Sequence, residues 1–381
     1  MIFTIGLIIA AWLIGYFTSG ADVAPLVPEV LPGATSIQTQ GPLFLGYDVN
    51  GELVGYAAVG QASGYGGPIE MLVGVNADGD ILGSTIVVER ESPGFFRLVE
   101  NSGLIESYAG QVITDPLQLG EDLDAVSGAT VSAEGVALAV RTAVQQIAAD
   151  GLNTPLPPQK QPIEFGIPEI VLILLFATSY VAHKMRSRVW KNRVRWGTLL
   201  TGMIVLGFIY TAPFTITMVV SLLSGFWPDW HTNLYWYILM GGIIFATTVD
   251  SQNPYCYWFC PFGAVQQCVA VVTGAKLYRP RDYNVPLKWL QRGLALTAIL
   301  LGLALRRPGV ASYEPFATLF DFRGTGVEWV FLILIMLVSL MIYRPFCNYL
   351  CPLDVVVEFI AVWRRWVKEI WATWRKEPTK T

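Results

Sequence analysis

Four of the five cysteines form two matched pairs with a spacing that suits metal or cluster binding. Cys256 and Cys260 lie in NPYCYWFCPF, and Cys347 and Cys351 lie in RPFCNYLCPL, so each pair reads CxxxCP. Residues four apart on a helical turn share one face, and the proline suits the first turn of a following helix. Because thiols near helix N-termini ionise easily and thiolates bind metals, all four are candidate ligands.

The two pairs repeat at an offset of 91 residues, from 256 to 347 and from 260 to 351. The offset and the matched flanks indicate an internal duplication whose copies pack about a pseudo-two-fold axis. Four thiolates at one centre would hold an iron–sulfur cluster, 4Fe–4S or 2Fe–2S, or a zinc ion. The competing interpretation is buried thiols without a metal. Cys268 has no counterpart in the second copy, where Phe359 stands, and is interpreted as a packing residue.

The composition is that of a membrane protein, since 53% of the 381 residues are hydrophobic and 14% are charged. Apolar runs near the roughly 20 residues needed to cross a bilayer predict six transmembrane helices. The runs cover residues 2–17, 167–182, 199–223, 234–248, 287–305 and 327–343. The first is interpreted as a retained anchor, residues 1–20, with a cleaved signal peptide as the alternative.

Lysines and arginines predict the orientation in the membrane. They concentrate after the second run, at residues 184–195, and in the C-terminal tail, which places both segments in the cytoplasm. The expected location is therefore the inner (cytoplasmic) membrane, in contact with lipid, with the CxxxCP pairs towards the cytoplasm. One feature disagrees, because Arg306 and Arg307 fall at the outer end of the fifth run.

The segment between the first two runs, residues 36–150, is predicted to be an extracytoplasmic α+β domain. Strands are expected at LVGYAAVG, at GQVIT and on both sides of the turn ADGD in IEMLVGVNADGDILGSTIVVE. VSAEGVALAVRTAVQQIAADG predicts a helix with one buried face. That face carries Val136, Val140, Ala143, Val144 and Ile147. A Pro-rich linker (151–164), an all-α membrane domain (165–360) and a Trp-rich interfacial helix (361–381) are predicted to follow.

The turn DAVSGAT, residues 124–130, opens onto the N-terminus of this helix. Free backbone N–H groups and the helix dipole favour an anion such as phosphate there. Ser, Thr and Asp at such turns also serve as simple helix caps, so both interpretations stand on the residues alone. The sequence has no CxxCH, no P-loop and no Rossmann fingerprint, which argues against haem c, ATP and NAD(P)H.

DAVSGAT resembles the flavinylation signature of the FMN-binding domains in Rnf complexes, Na⁺-translocating NADH:quinone reductases and NosR-type proteins. The resemblance implies FMN joined by a phosphoester to Thr130, attached by a separate flavin transferase that uses FAD. Residues 64–81 and ESPGF, residues 91–95, resemble two further family segments, the second with Ser92 in place of Thr. The implied cofactor-binding residues are Asp124, Ser127, Gly128, Ala129, Thr130, Gly66, Gly67, Glu91, Ser92, Pro93 and Gly94.

The CxxxCP pairs resemble those in the membrane parts of the NosR and NapH group, iron–sulfur proteins of anaerobic respiration. This resemblance covers roughly residues 165–365. Those relatives usually continue into a cytoplasmic ferredoxin module, whereas no cysteine follows Cys351 in this sequence. Further electron-transfer subunits or a quinone are therefore expected as partners.

The expected function is electron transfer between a membrane or cytoplasmic-side donor, the four-cysteine centre and an extracytoplasmic FMN, which delivers electrons to an extracytoplasmic redox partner. Quinol oxidation is a possible associated activity. The alternative is a flavin-based redox sensor, or an assembly or regulatory protein, for an extracytoplasmic reductase. A hydrocarbon core of about 30 Å separates the two faces, so a deep cluster, a quinone or a second subunit must bridge it. A nucleic-acid partner is not expected.

Overall fold

The computed structural model describes residues 2–18, 20, 22–64, 66–91, 93–120, 123, 124, 126, 130–154, 156, 163, 165–250, 253–275, 284–322 and 324–376. The chain divides into two compact units. The first consists of Met1–Gln161, Thr217–Asp229 and Ile299–Ser312, and the second of Pro162–Ile216, Trp230–Ala298 and Tyr313–Thr381. Most of the predicted linker, residues 151–164, lies outside the described residues.

A five-stranded antiparallel sheet forms the centre of the first unit. Its strands β1–β5 are Ser36–Gln40, Leu43–Tyr47, Leu53–Ser63, Pro68–Val75 and Ile81–Glu89, paired in sequence order. Short connections make each successive pair a hairpin. Gly79, with a φ of 94°, lies in the turn predicted at ADGD. The strand predicted at GQVIT is wrong, because Val112 makes only an isolated bridge to Asp80.

Helices cover both faces of this sheet. They are α2 (Val27–Val30), α3 (Pro93–Glu100) and α4 (Thr130–Asp150). The five residues predicted on the buried face of α4 are all buried, which confirms that prediction. Gly60 in β3 allows the close approach of α4, because a Cβ there would lie 2.0 Å from the carbonyl oxygen of Ala139. On the opposite face, Val27 and Val30 of α2 pack with Ala57 and Leu72.

Apolar helical segments complete the first unit. They come from α1 (Ile2–Thr18), α7 (Ile216–Ser224) and the end of α10 (Asn284–Ala304). Small residues bring these segments together: a Cβ on Gly15 would lie 2.2 Å from the carbonyl oxygen of Leu303, and one on Gly302 would lie 2.9 Å from Val220. Such contacts are typical of helix pairs in membranes.

The second unit is helical in the described part of the chain. Its remaining elements are α5 (Ile167–His183), α6 (Arg188–Thr201), α8 (Leu234–Asp250), α9 (Pro261–Thr273), α11 (Phe316–Phe320), α12 (Gly326–Ser339), α13 (Pro345–Tyr349) and α14 (Pro352–Lys376), with π-helical turns at Gly202–Ile209 and Tyr255–Phe259. The amphipathic stretch after Cys351 and the predicted interfacial segment are one continuous helix, α14. Trp363, Trp366 and Trp371 on it are exposed.

The single helix predicted over residues 199–223 is wrong. The helical path of α6 continues through the π-helical turn and then stops, and residues 210–215 separate it from α7. Pro213 has no N–H to donate, and Thr211 has a positive φ of 47°. Hydropathy alone does not reveal such a break, because the residues of the break are themselves largely apolar.

Side chains bind the backbone groups that the break leaves without helical partners. The N–H of Phe214 donates to the hydroxyl of Tyr255 at 2.8 Å, and the N–H of Ile216 donates to the carboxylate of Glu314 at 2.8 Å. The hydroxyl of Tyr235 donates to the carbonyl oxygen of Ala212 at 2.7 Å. Non-helical backbone in a low-dielectric setting persists only with such compensation. Glu314 therefore has a structural role as the partner of a helix N-terminus.

One described helix segment, Val285–Ala304, is by length and composition able to cross a membrane. Shorter apolar helices occur at Phe3–Thr18, Ile167–His183, Leu234–Val249, Pro261–Thr273 and Gly326–Ser339. Five of the six predicted apolar runs thus correspond to single helices. Their passage through a bilayer stays a prediction.

Candidate functional site

Thr130, the predicted attachment position, is the first residue of α4. It therefore lies at a helix N-terminus, where backbone N–H groups face outward and the helix dipole is positive. Asp124 is exposed, and Pro93 and Gly94 begin α3. The predicted site residues Ser92, Ser127, Gly128 and Ala129 lie outside the described residues.

Glu91 forms a buried hydrogen-bond network beside this helix end. The residue is 4% exposed, and both of its carboxylate oxygens accept from the N–H of Gly66 at 3.0 Å. The hydroxyl of Ser132, two residues beyond Thr130, donates to Oε2 at 3.0 Å. The predicted residues Glu91 and Gly66 are thus brought together at the start of α4.

The glycines of the β3–β4 connection are required by this packing. A Cβ on Gly64 would lie 1.9 Å from Oε1 of Glu91, and one on Gly67 would lie 2.6 Å from the carbonyl oxygen of Arg90. The N–H of Gly64 donates to the carbonyl oxygen of Gly67 at 2.9 Å, which closes the turn. Side chains here would push the loop away from Glu91, so the glycine-rich sequence has a local steric cause.

The environment of Glu91 changes its acidity. Burial raises the pKa of the Glu91 carboxyl to about 7, while the hydrogen bonds from Gly66 and Ser132 oppose the rise. The charged residues next to Glu91 in the sequence are Glu89 and Arg90. Arg90 forms an ion pair with Glu70. A carboxyl with this pKa can bind or release a proton near neutral pH.

Two arginines that sequence reasoning left unexplained contact this region. The guanidinium of Arg307 lies 3.8 Å from the carboxylate of Glu89, and that of Arg306 lies 4.7 Å from the ring of Phe226. Arg90 is buried, pairs with Glu70 at 2.6 Å and lies 5.2 Å from the same ring. Their disagreement with the positive-inside pattern was the one sequence signal that could have identified Arg306 and Arg307.

Helix α7 also contacts the glycine-rich connection. The hydroxyl of Ser221 donates to the carbonyl oxygen of Gly66 at 3.5 Å. The N–H of Gly66 therefore donates to Glu91, and its carbonyl oxygen accepts from Ser221 of α7. Gly66, one of the predicted flavin-binding residues, therefore lies against an apolar helix of the same unit.

In the second unit, each CxxxCP pair joins a one-turn helix to a longer one. Cys256 lies in the π-helical turn, and Cys260 is the N-cap of α9, where its Sγ accepts from the N–H of Gly263 at 3.5 Å. Cys347 lies in α13, and Cys351 directly precedes α14. Both prolines stand at the first helical position, as predicted. All five cysteines are free thiols.

The two pairs lie close to one another within this unit. The thiol of Cys347 interacts electrostatically with those of Cys260, Cys256 and Cys351. Gln266, fully buried on α9, donates from Nε2 to the Sγ of Cys347 at 3.5 Å. The four predicted thiols are therefore neighbours. Within the described ranges, no three His, Cys, Asp or Glu side chains are grouped closely enough to hold a single metal ion.

The chemistry of these donors fits an iron–sulfur cluster. Four thiols supply the usual ligand set, and hydrogen bonds to sulfur are a recognised means of setting cluster potential. Gly263 and Gln266 provide such bonds, one to each pair. Cys268 lies further along α9 and is only partly buried, and its packing role stays a prediction.

Comparison with protein families assigns a domain to each unit. Residues 64–145 match the FMN-binding domain, and residues 232–280 and 327–370 match a 4Fe–4S binding domain. The first match contains Thr130 and Glu91, and the second contains all four paired cysteines. The chain thus carries an FMN-binding domain and a 4Fe–4S binding domain.

Several known proteins are similar to parts of this chain. NirI of Paracoccus denitrificans is 27% identical over 48% of this chain and 28% of its own length. The regulatory protein NosR of Pseudomonas aeruginosa is 26% identical over 52% of this chain and 30% of its own length. One component of the Na⁺-translocating ferredoxin:NAD⁺ oxidoreductase complex of Acetobacterium woodii is 31% identical over 25% of this chain and half of its own length. The matched region thus spans less than a third of NirI and of NosR.

Glu91→Gln should remove a pH dependence from the stability of the flavin domain. A pKa of about 7 in the fold, against about 4.3 for an unfolded glutamate, means that the folded state binds more protons between these values. Stability is therefore lost as the pH rises from about 4 to above 7, by on the order of 4 kcal/mol. The neutral Gln side chain lacks this loss, so the variant should gain relative stability with rising pH.

Hydrogen exchange of α4 amides, followed by mass spectrometry on the full-length protein, measures this difference at each pH. Comparison of variant and wild type at equal pH cancels the intrinsic exchange rate. Glu106→Gln, which changes an exposed carboxyl of the same domain, should show no trend. An equal protection difference at pH 5 and pH 8 for Glu91→Gln would contradict the prediction.

Proposed function

We propose that this NosR-like FMN-binding iron–sulfur protein transfers electrons between a four-cysteine 4Fe–4S cluster and a covalently bound FMN. The observation that carries the proposal is the presence of two redox-cofactor domains in one chain. A flavin accepts one or two electrons, and an iron–sulfur cluster accepts one, so the pair can exchange single electrons.

The covalent attachment is proposed at Thr130. Its position at the start of α4 supports this, because a helix N-terminus suits a phosphate group. The hydroxyl of Thr130 would form the ester with the FMN phosphate, and a separate transferase would use FAD as donor and release AMP. Covalent attachment retains the cofactor where no free flavin pool replaces it. Glu91, buried nearby with a pKa of about 7, can hold or release a proton as the flavin domain changes redox state.

The cluster ligands are proposed to be Cys256, Cys260, Cys347 and Cys351. Their mutual electrostatic interaction and their position in the matched 4Fe–4S binding domain support this assignment. The hydrogen bonds from Gly263 and Gln266 would hold the sulfur atoms in place. The cysteines would bind the cluster as thiolates and release their protons on loading.

The protein is proposed to be a multi-pass protein of the cytoplasmic membrane with its FMN domain outside. The apolar helices and the basic segments that flank them support this topology. The relative from Acetobacterium belongs, by its name, to a multisubunit oxidoreductase. By analogy, further electron-transfer subunits or a quinone would complete the path from the donor, and an extracytoplasmic redox partner would receive the electrons.

Thr130→Ala should abolish covalent flavin, because it removes the hydroxyl that is proposed to form the phosphoester. The measurement is flavin fluorescence of the denatured protein on a gel, with intact mass, after coexpression with a flavin transferase. Thr142→Ala, an exposed threonine on the same helix, serves as the matched control and should retain the flavin. Covalent flavin in the Thr130→Ala protein would disprove the attachment site.

Replacing one cysteine of each pair, with Cys256→Ser and Cys347→Ser together, should remove bound iron and the EPR signal of the reduced cluster. Each pair then retains a single thiol, too few to hold the cluster. Cys268→Ser should retain the iron content of the wild type, since this thiol lies outside the matched pairs. Full iron in the double variant, or zinc in place of iron in the wild type, would contradict the cluster assignment.

A regulatory role is the second candidate, and the name of the NosR relative, a regulatory protein, favours it. The two functions differ in speed. An electron-transfer protein in lipid vesicles should let a quinol reduce its flavin at about 1 s⁻¹ or faster, as typical turnover numbers require. The double cysteine variant should lose this reaction. Stopped-flow absorbance measures the rate, and flavin reduction over many minutes would favour a sensor.

A further inference from the structure

A positive charge is buried beside the four cysteines. Arg344 is 9% exposed and precedes the second CxxxCP pair. Burying a charge costs several kcal/mol unless an opposite charge compensates it. In the part of the chain that the structure describes, no ion pair joins Arg344 to a carboxylate. The groups that favour its positive charge are the thiols of Cys347, Cys260 and Cys256, together with Tyr343.

The guanidinium reaches from one copy of the repeat into the other. Its Nη2 donates to the carbonyl oxygen of Cys256 at 3.2 Å. The same nitrogen lies 1.9 Å from the place where a Cβ on Gly263 would stand. Gly263 follows Cys260 in the first turn of α9, so only a glycine at this position leaves room for the guanidinium.

The backbone of Arg344 is itself held in a costly conformation. Its φ of 50° and ψ of 55° lie in the left-handed region, which is disfavoured for a residue with a side chain. Such a conformation persists when the surrounding structure stabilises it. The contacts at Cys256 and Gly263 provide that stabilisation and fix the direction of the side chain.

The repeat is asymmetric at this position. Asn253 occupies the place of Arg344 in the first copy, where its side chain accepts from the N–H of Cys256 at 2.9 Å. Asp354 occupies the place of Gly263 in the second copy and pairs with Lys288 at 3.3 Å. A single buried cation, Arg344 of the second copy, therefore lies close to thiols of both pairs.

We propose that Arg344 is the counter-cation of the four-cysteine cluster and raises its reduction potential. The inference rests on the cluster binding proposed above. One-electron reduction adds a negative charge to the cluster while the guanidinium keeps its proton, so the attraction is stronger in the reduced state. At a separation of about 10 Å and an effective dielectric constant of about 20, removal of this charge should lower the equilibrium constant for reduction about tenfold.

The test is an EPR-monitored redox titration of the iron-loaded, full-length protein. Arg344→Gln should lower the midpoint potential, and Arg344→Lys, which keeps the charge, should lie closer to the wild type. Gly263→Ala should shift the potential in the same direction as Arg344→Gln, because it displaces the guanidinium without removing it. Arg292→Gln removes an exposed cation that pairs with Glu358 at 3.1 Å and serves as the control that leaves the potential unchanged.

The outcomes separate this inference from the proposed function. A wild-type protein without iron would overturn the cluster itself. Iron-loaded Arg344→Gln with the wild-type potential would overturn the role of Arg344 alone. If Arg344→Gln fails to retain iron, Gly263→Ala decides: a lowered potential supports the counter-cation, and an unchanged one overturns it.

Discussion

Polar groups held away from water need partners, and this constraint shapes every functional part of the protein. The carboxylate of Glu91 is buried only because Gly66 and Ser132 donate to it. Through Glu91, those two hydrogen bonds connect the glycine-rich β3–β4 connection to the first turn of α4. Without them the buried carboxylate would lose its two closest donors, at a cost of a few kcal/mol. The geometry around Thr130 therefore depends on an interaction between segments that are distant in sequence.

The same constraint operates in the helical unit. The break before α7 exposes backbone groups that Tyr255, Tyr235 and Glu314 bind. Tyr255 directly precedes Cys256 and is fully buried, so the break and the first cysteine pair share a structural element. Mutations aimed at Glu314 or Tyr255 would disturb packing near the cysteines, even though neither side chain is a ligand. A loss of function there would report on structure rather than on chemistry.

The two copies of the internal repeat differ in the charge of matching residues. Duplication alone would produce two equivalent pairs of thiols, but Arg344 and Asn253 differ in charge and reach. The glycine of the first copy accommodates the arginine of the second, and Asp354 engages Lys288 instead. In the first unit, Arg306 and Arg307 contact Phe226 and Glu89. Basic residues that oppose a topology rule can thus be explained by tertiary contacts.

Local sequence patterns were sufficient to predict several features of the structure. The period of apolar residues predicted α4 and its buried face, the spacing of cysteines and prolines predicted the helix starts at Pro261 and Pro352, and the motif DAVSGAT placed Thr130 at a helix N-terminus. Each of these depends on neighbours within a few residues, whose periodicity and capping are visible in the sequence. The break at 210–215 and the lack of a strand at GQVIT were missed. The partners of Glu91, the contacts of Arg306 and Arg307 and the burial of Arg344 were decided by tertiary structure alone, because each depends on groups that only folding brings within a few ångströms.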